Sequence, residues 1–280
     1  CQKILSLNYE QNQLVCDNNH QFDRAKQGYF NLLPVQNKKS KIPGDSKEMI
    51  NARETFLAGD FYLPLAEKLS SIIEDLLPMD NKQPAASVEK QLPKTLLDVG
   101  CGEGYYSRVI SKNTEFNQYG FDISKSAIQK AAKKHKDGFY CVASSEDIPL
   151  QSLSIDLAFK VYAPASDSQL HRVIKSKGYL VSVTPAPRHL WQLREFIYDN
   201  VQPHDTVDTK FQGFRKVSSE QFNYNIIPDS NNRLNLLQMT PFAWKADEAA
   251  TKAIADAQDL SIELDFIISV YQKIDLNEGS

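Results

Sequence analysis

The chain has 280 residues, 41% of them hydrophobic, with 32 Lys and Arg against 35 Asp and Glu. That leaves room for one large domain and a small appendage, and a net charge of −3 argues against nucleic-acid binding over the whole surface. No apolar run approaches the ~18 residues of a membrane span, so no membrane partner is expected.

The chain opens on polar residues, without the basic-then-apolar layout of a secretion leader. Its four cysteines are spread out, which fits a reducing compartment; a cytoplasmic location is the expectation. Charge is uneven: residues 1–47 hold seven Lys and Arg against four Asp and Glu, and the remainder 25 against 31. The N-terminal piece is therefore the part expected to meet a polyanion, although an ordinary solvated surface explains charge alone equally well.

Cys1, Cys16 and His20 read as three ligands of a Cys₃His zinc site. The missing fourth would stand three residues before Cys1, which gives the expectation of a trimmed N-terminus; unrelated thiols are the alternative. Tyr9 to Val15 reads as a hairpin joining the two halves, and a metal staple suits ~40 residues that cannot hold a core unaided. Basic and aromatic residues then interleave at Phe22, Arg24, Lys26, Tyr29 and Phe30, as where bases stack and phosphates are neutralised. Phe22 and Leu32 are assigned to the module's own core. Arg24, Lys26, Lys38, Lys39 and Lys41, with Lys47 beyond, are assigned to RNA backbone.

Asp45-Ser46-Lys47-Glu48 has a capping-box pattern with Asp45 as N-cap, predicting a helix that breaks near Gly59. Leu63 to Leu77 predicts a second, amphipathic helix. Pro78 to Lys94 reads as a surface loop.

Leu96, Leu97 and Val99 predict a buried parallel strand. It ends in Asp98 and runs into Gly100, Gly102 and Gly104, with Glu103 in the loop and a helix from Tyr105. A loop carrying carboxylates suits a cationic ligand better than a phosphate. The pattern resembles motif I of the S-adenosylmethionine methyltransferases; a glycine-rich turn in another α/β protein is the alternative. Twenty-four residues later, Tyr119 to Ile123 is a second apolar run with Asp122 at its end, placed to accept ribose hydroxyls. Ser124 to Lys134 predicts a helix, and Phe139–Ala143, Ile155–Val161 and Gly178–Val183 predict the third, fourth and fifth strands. Loops after the fourth and fifth should line a cleft. Arg188 and His189 are the candidates there for holding a flipped base or a cofactor carboxylate, and His189 and Asp156 are the candidate general bases. Leu260 to Phe266 alternates like a strand with one wet face.

Beyond motif I, the chain resembles the bacterial 23S rRNA (guanine-N1)-methyltransferases. The resemblance rests on Asn31-Leu32-Leu33-Pro34-Val35-Gln36, Pro43-Gly44-Asp45-Ser46 and Met49-Ile50-Asn51-Ala52-Arg53, then on Cys141 to Ser145, Tyr162-Ala163-Pro164, Thr184 to Leu190 and Leu236 to Trp244. It implies an α/β fold: a Rossmann-like methyltransferase domain over 44–280 after a small zinc-binding, RNA-recognising domain over 1–43. It further implies S-adenosyl-L-methionine and Zn²⁺ as cofactors, a homodimer, and methylation of a guanine in the hairpin 35 loop of 23S rRNA, the 745-type ahead of the 748-type position. Tyr62 borders the cofactor in that family. Ser144 stands where related methyltransferases often carry an adenine-binding Asp, and Ser145 follows it. Cofactor contacts are thus expected from Tyr62, Asp98, Gly100, Gly102, Glu103, Gly104, Tyr105, Asp122, Ser144, Ser145 and His189. Two rival readings are a small-molecule methyltransferase acting on, for example, a quinone, and an RNA-binding protein with a vestigial pocket.

Overall fold

The computed structural model describes residues 3–33, 44–78, 93–113, 115–205 and 209–274. The N-terminal strands β1 (Ser6–Asn8), β2 (Gln13–Val15) and β3 (Gln21–Asp23) form a small antiparallel sheet. Such a sheet cannot sustain a core of its own, and Leu14 packs instead into the main core beside Leu97 and Ala158. Phe22 and Leu32, expected to fill a separate small core, lean on the same cluster. The chain then enters the main sheet as β4 (Phe30–Asn31). The expected head of residues 1–43 is therefore tied into the large domain before its boundary is reached.

The main sheet adds β5 (Thr95–Val99), β6 (Asn117–Asp122), β7 (Phe139–Val142), β8 (Ile155–Val161), β9 (Ile174–Pro185), β10 (Phe214–Ile226) and β11 (Ile262–Lys273). Its order is β10-β11-β9-β8-β5-β6-β7-β4. All neighbours from β9 to β4 are parallel, and β11 runs antiparallel to both β9 and β10. From β5 the chain winds to β6 and β7 on one side, then returns to β8 and β9 on the other. The reversal opens a crevice at the strands' carboxyl ends, where such sheets bind ligands.

Side-chain alternation along β5 feeds both faces. Leu96 joins the core under α1 (Lys47–Ala58), α2 (Leu63–Leu76) and α7 (Ser230–Gln238). Leu97 and Val99 join the opposite core with α5 (Asp167–Val173). The remaining helices are α3 (Tyr105–Ile110), α4 (Lys125–Lys134), α6 (Trp191–Glu195) and α8 (Glu248–Asp256). Among the described residues no helix is long and apolar enough to cross a membrane.

Two local expectations are corrected. The N-cap of α1 is Ser46, whose Oγ accepts from the Met49 N–H at 3.2 Å, while Asp45 turns to Arg53 instead. The C-terminal strand has no wet face and runs on to Lys273. One face joins the core through Leu264, Phe266, Ile268 and Val270, and on the other Asp265 is fully buried, accepting from Arg188 N and Gln221 Nε2.

Candidate functional site

A cavity of about 660 Å³ opens at the carboxyl ends of β5 to β9, within the ~300–1,000 Å³ typical of small-molecule sites. Of the eleven residues expected at a cofactor, ten line it: Tyr62, Asp98, Gly100, Gly102, Glu103, Tyr105, Asp122, Ser144, Ser145 and His189. Gly104 is the exception. It caps α3 with φ 78°, and a Cβ there would meet Ala131 of α4 at 3.1 Å.

Asp98 is buried, and the Ser107 hydroxyl donates to it at 2.7 Å. Burial first, then repulsion from Asp122, pushes its carboxyl up to about 7. Burial also raises Asp122, which accepts the Gly102 N–H at 3.0 Å and the Ser124 N–H at 2.7 Å. Two carboxylates that burial disfavours as anions gain when a cation enters. Between them the loop must stay bare. Gly100 has φ 68°, and a Cβ there would stand 2.5 Å from Ala163; Gly102 has φ 55° and faces open space.

Glu103 behaves differently. Its side chain is buried and pairs with Lys134 of α4 at 2.6 Å, so it anchors the loop and brings no unpaired charge to the cavity. Tyr62 presents its ring edge-on to Phe56 and Phe266. The Ser144 hydroxyl accepts the Glu146 N–H at 3.2 Å, tightening the turn after β7.

At the far end Tyr162 holds a left-handed backbone with φ 56°, a conformation that costs a non-glycine residue roughly 1–2 kcal/mol. Lys160 secures that turn by donating to the Ala163 carbonyl at 2.9 Å. The Tyr162 hydroxyl lies 3.3 Å from His189 Nε2, and His189 Nδ1 accepts the Asp265 N–H at 3.2 Å. With Nδ1 occupied as an acceptor, the ring proton sits on Nε2 and is given to Tyr162. Burial, reinforced by His204 and Arg194, lowers His189 to about 3. His189 is therefore a neutral donor with no spare lone pair, which corrects its assignment as general base.

The other candidate base is also corrected. Asp156 sits at the amino ends of the strands and is absent from the cavity wall. It accepts from Thr95 N at 2.8 Å, Thr95 Oγ1 at 2.7 Å and Lys175 Nζ at 2.8 Å. Burial acts upward, but those bonds hold its carboxyl below the usual range. It stitches β8 to β5. Arg188 is also outside the cavity wall, paired with Glu263 at 2.8 Å and lying over Trp191.

In the N-terminal module Arg24 and Lys26 are exposed, with Arg24 donating to the Gly28 carbonyl and lying over Phe30. Tyr29 and Phe30 are buried, so neither ring is offered for stacking. Cys16 Sγ and His20 Nδ1 lie 3.4 Å apart at the mouth of the β2–β3 turn. That fits two ligands of one tetrahedral zinc, whose S and N atoms stand ~3.5 Å apart for bonds of ~2.3 and ~2.0 Å. Desolvation opposes it, but the His20 contact holds the Cys16 thiol below its ordinary range. Cys1, Lys38, Lys39 and Lys41 lie outside the described residues.

Arg53 and His204 are cavity residues that sequence reasoning did not assign to the site. Arg53 belongs to a stripe of α1 and its approach, Asp45, Met49, Arg53 and Leu57, that faces the cavity; the spacing of four was legible. His204 was not, for it stands in a loop between Pro203 and Asp205 with no pattern around it. Its ring bonds the His189 backbone, and its Nε2 is buried without a hydrogen-bond partner. The proton shared with that backbone leaves Nε2 as a lone pair.

The family model described as "Methyltransferase domain" matches residues 93–254, and the one described as "RlmA, N-terminal", a zinc ribbon, matches residues 1–41. A 23S rRNA (guanine(748)-N(1))-methyltransferase of Streptomyces fradiae is 28% identical over 240 residues, 84% of this chain and 81% of the relative. YxjB of Bacillus subtilis (strain 168), provisionally named a 23S rRNA (guanine-N(1)-)-methyltransferase, is 26% identical over 277 residues, 92% of this chain and 90% of its own. A malonyl-acyl-carrier-protein O-methyltransferase of Serratia marcescens is 26% identical over 127 residues, only 43% of this chain and 46% of the relative.

Proposed function

We propose, because this chain belongs to the methyltransferase domain family, that it methylates N1 of a guanine in 23S rRNA. The observation that carries the reading is the pair of carboxylates, buried Asp98 and half-buried Asp122, flanking a bare glycine loop in one cavity. The head decides the substrate class. A match to the zinc ribbon and relatives that span head and domain together support rRNA, whereas the relative named for an acyl-carrier-protein substrate matches less than half of the chain. The finer proposal is a guanine in the hairpin 35 loop, the 745-type ahead of the 748-type position, handled by a cytoplasmic homodimer.

S-adenosyl-L-methionine supplies the electrophilic methyl group. Asp98 answers the positive charge of its amino-acid end, and Asp122 accepts from the ribose hydroxyls. Alignment over the glycine loop supplies most of the acceleration. Guanine N1 carries a proton in neutral water, which must leave during attack. His204, which lines the cavity wall with its Nε2 unpartnered, is the residue proposed to take it, and the His189–Tyr162 pair is proposed to hold the rim against which the base rests. A loop base reaches such a cavity more readily than a paired one.

The test is transfer of labelled methyl to unmodified 23S rRNA, followed by mapping of the stop that N1-methylguanine places in primer extension. Label at a hairpin 35 loop guanine is expected. Calorimetric absence of cofactor binding, or label only on small molecules, would overturn the reading.

A further inference from the structure

Four carboxylates line the cavity, Asp45, Asp98, Glu103 and Asp122, and Arg53 is the only Lys or Arg among the described lining residues. The cationic and hydroxyl groups of an adenosyl sulfonium donor therefore meet suitable partners in abundance, but its carboxylate does not. Entering among Asp98 and Asp122 it would be repelled. Both cavity histidines are held toward the neutral form by burial, and Lys134 is spent on Glu103 and Glu54.

Arg53 is placed for that task. It stands at the middle of α1 on the cavity-facing stripe, with Asp45 and Met49 before it and Leu57 after. Its Nη1 donates to Asp45 Oδ2 at 2.5 Å and its Nη2 to the Met239 carbonyl at 3.4 Å. Two of its five N–H groups are engaged in these bonds. The side chain retains 28% of its exposure, and its charge acts on Asp122, Tyr62 and Tyr106. It thus spans both carboxylate and aromatic ends of the cavity. A planar guanidinium with donors remaining suits a carboxylate better than any other group in this wall.

We propose that Arg53 is the binding residue for the carboxylate of the cofactor's amino-acid end. The proposal rests on the methyltransferase reading above and adds to it the residue that separates the donor from its decarboxylated analogue.

The experiment is calorimetry of the full chain and its Arg53→Gln and Arg53→Lys variants with three probes. S-adenosylhomocysteine carries amine and carboxylate, S-adenosyl-3-thiopropylamine carries the amine alone, and 5′-methylthioadenosine carries neither. Arg53→Gln is expected to weaken S-adenosylhomocysteine about 10- to 100-fold, as for loss of a charged hydrogen bond. Binding of the other two probes should stay within about twofold, which also shows that the variant is folded. Arg53→Lys should recover part of the loss. An equal loss for all three probes, no loss for any, or a loss confined to rRNA binding would each overturn the proposal. A parent chain that binds none of the probes would instead overturn the methyltransferase reading itself.

Discussion

The buried backbone N–H of Asp265 donates to His189 Nδ1 at 3.2 Å, from a strand that itself has no exposure at that point. One hydrogen bond from a fixed strand thereby decides which imidazole nitrogen carries the proton, and the 3.3 Å contact to Tyr162 follows from it. The strained turn of Tyr162 is kept in place from both sides, by His189 above and Lys160 below.

If the pair works as a unit, His189→Phe and Tyr162→Phe should each slow methyl transfer about tenfold, and the double variant scarcely more. Single-turnover rates on rRNA check this; fully multiplicative losses would show two independent roles. No titration of His189 should appear above pH 5, because its ring stays neutral.

His204→Gln is expected to cut the chemical step about 100-fold, the usual scale for a general base, with S-adenosylhomocysteine affinity unchanged. Burial first, then Arg194, lowers the His204 ring below its ordinary 6.5. The acid limb of the parent's pH–rate profile should accordingly fall below pH 6.5 and vanish in the variant.

Asp98 yields a pH prediction of defined sign. Its folded value of about 7 lies above the ordinary 3.8, so its contribution to stability is present in acid and is lost as pH rises through 7. Asp98→Asn should flatten that fall in the melting temperature of the ligand-free protein. Cofactor affinity moves the opposite way: the ligand's ammonium group selects the ionised carboxylate, so S-adenosylhomocysteine should bind more tightly at pH 8 than at pH 6. The same variant should lose roughly tenfold or more in affinity, on the scale of a charged hydrogen bond.

Removing zinc with a chelator, or substituting Cys16→Ala or His20→Ala, should lower metal content by mass spectrometry and weaken rRNA binding at least tenfold. S-adenosylhomocysteine should bind within about twofold of the parent, since the cavity receives nothing from β1 to β3.

From β5 to β9 the parallel strands were legible because they are buried on both faces and read as apolar runs, those of β5 and β6 ending at Asp98 and Asp122. Of the antiparallel half, Leu260 to Phe266 was legible as the start of β11, but β10 was not. β10 reads Ser218-Ser219-Glu220-Gln221 through its middle because it is the exposed edge; Phe222, Tyr224 and Ile226 face inward after that stretch, and Phe214 packs on the core before it. Asp156 was misplaced by ignoring strand direction: it is the second residue of its strand and so belongs at the amino end. His204 is brought to the cavity by tertiary contacts, its N–H bonding the Pro187 carbonyl, which no local pattern encodes.

The lacing of Phe30 and Asn31 alongside Cys141 and Val142 has a mechanical outcome. The metal-bearing tip and the reaction chamber share one stiff frame, so the distance between them works as a gauge. On the proposed reading, rRNA held at the tip would be offered to the opening at a set distance, and the choice of nucleotide becomes a matter of measured reach.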